Sequence, residues 1–157
     1  MLPAFQWLQQ SWLGTTVNNS NWAFAAVEAG HLLALAAIGG AVIVVDLRLM
    51  GWAFKHQPVA EIARNARPWL VWSLIAMFIT GVPLLASLAA TKYYFNELFR
   101  LKMYLLGAAI LFTFTIQRYV VMRDDARIHN AVAKATAIIS VLLWSSVGIM
   151  GRGIGFY

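Results

Sequence analysis

Cysteine is absent from these 157 residues, which excludes disulfides, thiolate metal centres and cysteine nucleophiles together. Charge is scarce. Asp, Glu, Lys and Arg make up 11% of the chain, against about 25% in a soluble domain. Acidic groups are the rarest, six against twelve basic ones, and the net charge is +6. The histidines at 31, 56 and 129 form no HxxxH or HExxH spacing, which excludes a zincin-type site. No Lys or Arg occurs in the first 21 residues, so the basic start of a secretory signal is missing and the segment is expected to stay in the mature protein. What is abundant is apolar: 61% of the residues are hydrophobic. The length suits one domain, residues 1–157.

Four apolar runs, at about 22–51, 69–91, 97–122 and 131–150, each reach the roughly 20 residues that cross a hydrocarbon core. Lipid offers no partner to a bare backbone, so each run must be helical. The fold class expected is therefore all-α, an integral membrane antiparallel four-helix bundle. Phe5, Leu8 and Trp12 recur at helical spacing ahead of it and predict a short N-terminal amphipathic interfacial helix. Trp22, Trp52, Trp69, Tyr93, Tyr94 and Tyr119 fall near span ends, where interfacial aromatics belong. "PVAEIARNAR" (58–67) reads as a basic helix at the membrane surface, and "TGVP" (80–83) as a kink. Ser73, Thr80 and Ser87 recur every seven residues, the spacing of a helix–helix seam.

Arg48, Lys55, Arg64 and Arg67 join spans one and two, and Arg118, Arg123, Arg127 and Lys134 join spans three and four. The other side carries Lys92, Arg100, Lys102 and Arg152. The positive-inside rule then places both termini outside the cytoplasm, in a bacterial inner membrane. Cations placed between apolar runs fit lipid headgroups, so the bilayer is the expected partner and nucleic acid is not. A homo-oligomer or a larger membrane complex is expected, with the redox partner unspecified.

Ionisable groups at bilayer depth are costly and mark function by default. On the first span Glu28, His31, Leu35, Gly39, Val42 and Asp46 fall within about 80° of one another at 100° per residue. Gly39 and Gly40 suit either a close helix approach or room for a flat ligand. Lys102 lies eight residues beyond Tyr94, and His31 nine beyond Trp22, so both sit about 12–14 Å along their helices. They are read as facing each other from antiparallel neighbours. Ala109, Thr113 and Gln117 continue the Lys102 face. Taken alone, Lys102 also suits snorkelling to headgroups.

Together the pair suggests haem b, whose iron takes one ligand on each face, with His31 and Lys102 axial. Lysine ligates as the neutral amine, and Glu28 would orient the imidazole. His56 and His129 are either solvated loop side chains or the ligands of a second haem or metal. Asp46 is expected to pair with Arg48 or Arg118. No Ser–His–Asp arrangement is supported at Ser145 or Ser146. The glycines of "GIMGRGIGFY" read as a flexible tail rather than a phosphate loop.

The motifs "EAGH", "GGAVIVVDLRLMG" and "TKYYFNELFRLKMYLL" resemble a family of small, uncharacterised four-helix bacterial membrane proteins, over most of the chain. More distantly, a His early in the first helix and a Lys early in the third resemble the HemJ-type protoporphyrinogen oxidases. That resemblance implies a b-type haem on His31 and Lys102, with Arg48 in the place of a further arginine. Asp46 before Arg48 and the extra N-terminal segment depart from the pattern. Three functions follow: a cytochrome-like electron-transfer or haem-linked sensing protein, a HemJ-like porphyrinogen oxidase, and a non-haem, proton-linked transport or structural subunit.

Overall fold

The computed structural model describes residues 2–87, 96–123 and 130–154. The elements are α1 (Leu2–Gln10), α2 (Trp12–Asn19), α3 (Asn21–Leu49), α4 (Val59–Ser87), α5 (Glu97–Phe112), a π-helical turn (Thr113–Gln117), α6 (Arg118–Met122) and α7 (Asn130–Gly153). Among the described residues there is no strand. Four segments are long and apolar enough to span a membrane: α3, α4, the unit Glu97–Met122 and Ala131–Gly153 within α7.

Side chains set the helix boundaries. The Ser11 hydroxyl donates to the Leu8 carbonyl at 2.6 Å and accepts from the Gly14 amide at 3.3 Å. It thereby ends α1 and caps α2, so the amphipathic start is two helices rather than one. Ser20 caps α3, and Asn96 caps α5 by accepting from Leu98 and Phe99. α3 stops at Gly51, whose φ of +76° suits glycine. The Gly51 amide donates to Arg48 and the Trp52 amide to Leu47, both at 3.0 Å, a Schellman closure. Arg48 then folds the loop back by donating to the Gln57 carbonyl at 2.7 Å.

The basic stretch 58–67 is not a separate surface helix. It forms the first turns of α4, which continues through Pro68 and Pro83 to Ser87. The reason is packing: Val59 and Ile62 bury against Val45, Leu49 and Val121 in the core at this basic end. A second core, around Ile38, Leu74, Met77, Leu106 and Trp144, fills the rest of the bundle. Large apolar side chains such as Leu33, Ile79, Leu111 and Ile149 face outward, as lipid requires.

Contacts fix the directions. His31 meets Thr80 near the far end of α4, so these helices are antiparallel. Trp144 bonds Thr113, and Lys102 lies on Gly151, so α7 runs against the third span. α3 packs on α4 and α7, α7 packs on α5, and α4 meets the third span chiefly at α6. Spans one and three are therefore diagonal and run the same way. This overturns the expectation that His31 and Lys102 come from antiparallel neighbours; they come from parallel, diagonal spans. One intervening span turns the chain twice and restores its direction.

α2 crosses the end of α4. A Cβ on Gly14 would stand 2.9 Å from the Ala86 carbonyl oxygen and 2.5 Å from that of Gln9, an approach only glycine permits. The N-terminal helices are thus clamped onto the bundle at the His31 end.

Candidate functional site

His31 is half-buried between α3 and α4, with Nδ1 2.9 Å from Thr80 Oγ1. The single Thr80 hydroxyl hydrogen goes to the Ala76 carbonyl at 2.7 Å. Thr80 therefore accepts, and Nδ1 carries the hydrogen. The Met77 backbone also lies beside the ring. Nε2 is left with its lone pair. The ring can sit so close to α4 because residue 81 is glycine: a Cβ there would lie 3.3 Å from His31 Cε1.

Lys102 is half-buried on the third span and lies along α7. Its Nζ and Cε are 3.4 and 3.5 Å from where a Gly151 Cβ would stand. Its ammonium and the Glu28 carboxylate both act electrostatically on the His31 ring. Glu28 itself is exposed and makes no hydrogen bond to the imidazole. The orienting role expected of Glu28 is filled by Thr80. No atom comes within 4 Å of a Cβ built on Gly39, Gly40 or Gly148, so these positions border open space.

A second polar group lies near the other end of α3. Asp46 is completely buried, and its Oδ1 accepts from Gln117 Nε2 at 2.7 Å. Asp46 Oδ2 and Ser140 Oγ, both wholly enclosed, have no further hydrogen-bond partner among the described residues, and the Ser140 hydroxyl faces the Asp46 carboxyl. Three spans converge here, and Gln117 closes the π turn, a feature that recurs at functional positions. Trp144 Nε1 anchors that turn by donating to Thr113 Oγ1 at 3.1 Å. The ion pair expected for Asp46 does not form: Arg48 is engaged with Gln57, and Arg118 is exposed.

Beside Gln117 a cleft of about 100 Å³ lies between α3, α4 and the third span. Val42, Leu70 and Phe114 supply apolar walls, and Arg64, Arg67 and Arg118 also line it. His56 is exposed in the α3–α4 connection, and His129 lies outside the described residues. Among the described residues, no group of three or more His, Asp or Glu side chains is placed to hold a metal ion.

Residues 4–157 match one family description. The chain belongs to the Family of unknown function (DUF6644). No curated protein and no solved structure matches it. In this DUF6644 chain the sequence pointed to His31, Lys102 and Asp46, but not to three of their neighbours. Thr80 was visible only as part of a heptad seam, and Gly151 only as part of a tail. Ser140 gave no signal beyond being the one hydroxyl in "AIISVLLW".

Proposed function

We propose that this DUF6644 chain is a b-type haem protein of the bacterial inner membrane, with His31 and Lys102 as axial ligands and one-electron transfer as its role. The observation that carries the reading is the Nδ1–H of His31 tied to Thr80. Metal-bound imidazoles nearly always donate their other ring N–H in this way, which fixes the free nitrogen as the ligand. Lys102 provides a second donor whose stem rests on Gly151, near enough to His31 to act on it electrostatically. The open space beside Gly148, one turn from Gly151, suits a flat group. A haem bound there would supply one-electron chemistry, and the chain would hold the imidazole through its Thr80 contact. Lys and Arg cluster at the Asp46 end, which supports a cytoplasmic location for that end and an external one for both termini. A second copy or a larger membrane complex would supply the redox partner.

The test is optical. Purified protein should show a Soret band and sharp α and β bands on reduction. His31→Ala should lose the haem, and Lys102→Ala should alter the band positions. A colourless protein that takes up no added haem, or a His31→Ala variant with unchanged haem content, refutes the reading. Complementation of a strain lacking protoporphyrinogen oxidase separates electron transfer from a HemJ-like oxidase.

A further inference from the structure

We propose that the Asp46 carboxyl, closed in by Gln117 and Ser140, is a proton-binding site served from the cleft between the first, second and third spans. It is independent of the haem reading, since His31 lies fifteen residues away, about 22 Å along α3.

Consider what faces Asp46 from each element. α3 itself contributes the buried Val42, Val45 and Leu49, and α4 brings Val59 and Ile62 to the same core. The third span offers the Gln117 amide and α7 the Ser140 hydroxyl. Among the described residues, the charged groups at this end do not bond it. Arg48 is committed to Gln57, Arg123 stacks on Tyr119 at 4.3 Å, and Glu61, Arg64, Arg67, Arg118 and Lys134 are exposed. A carboxylate enclosed without a counter-charge is strongly disfavoured, so the site must bind a proton or a cation.

Hydrogen-bond valence decides between them. Oδ1 already accepts from Gln117, which turns its N–H side toward the carboxyl and so repels a metal ion. A cation would find only Asp46 Oδ2 and Ser140 Oγ unused, too few oxygens for sodium or calcium. A proton on Oδ2 removes the buried charge and lets Oδ2 donate to Ser140 Oγ, whereas the Ser140 hydroxyl donating to Oδ2 would leave the carboxylate charged. The three arginines lining the cleft also oppose entry of a cation. Gln117 both bonds Asp46 and lines the cleft, so it stands between the carboxyl and outside water. Release is a simple dissociation: the Oδ2–H bond breaks, its electrons stay on the carboxylate, and the proton passes to cleft water.

The test uses the full chain in proteoliposomes with dicyclohexylcarbodiimide, which modifies protonated carboxyls in apolar surroundings, read by peptide mass spectrometry. Asp46 should be modified at neutral pH, equally in sodium and choline chloride, and faster in Gln117→Ala. Infrared spectra should show a protonated-carboxyl C=O band that shifts in D2O. The band should persist in the Asp124→Asn/Asp125→Asn variant and vanish in Asp46→Asn. If Asp46→Asn does not accumulate, ¹³C-aspartate labelling of the Asp124→Asn/Asp125→Asn variant makes the same assignment. Protection by sodium or lithium would make this a cation site and overturn the proposal. So would an ionised Asp46 with no modification.

Discussion

Replacing Thr80 by Val tests the link between fold and haem most directly. Val keeps the methyl group that lies 3.5 Å from the position of a Gly30 Cβ, so the α3–α4 contact survives. It removes only the oxygen that accepts from His31 Nδ1 at 2.9 Å. Loss of such an orienting partner lowers metal affinity about 10–100-fold, or roughly 1.4–2.7 kcal/mol. The Met77 carbonyl stays beside the ring and takes over part of the task, which puts the expected loss near the lower bound, about tenfold. Thr80→Ser retains the oxygen and should bind like the parent. The assay is haem titration into apo-protein in detergent, with thermal unfolding of the apo forms as a packing control. Unchanged affinity in Thr80→Val, alongside lost binding in His31→Ala, would refute the orienting role. Equal losses in Val and Ser would trace the effect to packing instead.

Three further outcomes are expected. Gly14→Ala forces a methyl group against the Ala86 and Gln9 carbonyls and should cost about 1–3 kcal/mol, seen as faster proteolysis of the N-terminal helices; an unaffected variant contradicts the clamp. A double-mutant cycle of Asp46→Leu and Gln117→Leu should give a coupling above the membrane average of about 0.6 kcal/mol and toward its maximum of about 1.7, because the two residues are 0% and 4% exposed. Coupling near zero in equilibrium unfolding would refute their hydrogen bond. Gly51→Ala should lose about 1–2 kcal/mol through its positive φ, and an unchanged melting temperature would count against the Schellman closure.

The four spans were legible because lipid leaves the backbone no alternative to helix and because charged clusters separate the apolar runs. The candidate residues on α3 were legible too, since Glu28, His31 and Asp46 share a face and are conspicuous among alanines and leucines. Their partners were not. Which helix meets which is a property of side-chain packing, and no spacing in "FITGVP" says that Thr80 faces His31. Direction was recoverable in principle from an even number of span reversals, yet equal distance from Trp22 and Tyr94 suggested opposed neighbours. The surface reading of 58–67 failed for a related reason: Val59 and Ile62 form an apolar face whether the opposing surface is lipid or protein.

The π turn at 113–117 leaves the third span wound one residue looser than its neighbours. Were that loop of backbone to tighten to ordinary α geometry, everything below it would swing by about 100° and shift by about 1.5 Å. Gln117 would be carried away from Asp46, uncovering the acid to the cleft, while Lys102 above the slip stayed where it is. Such a slip would open one end of the bundle and leave the other in place.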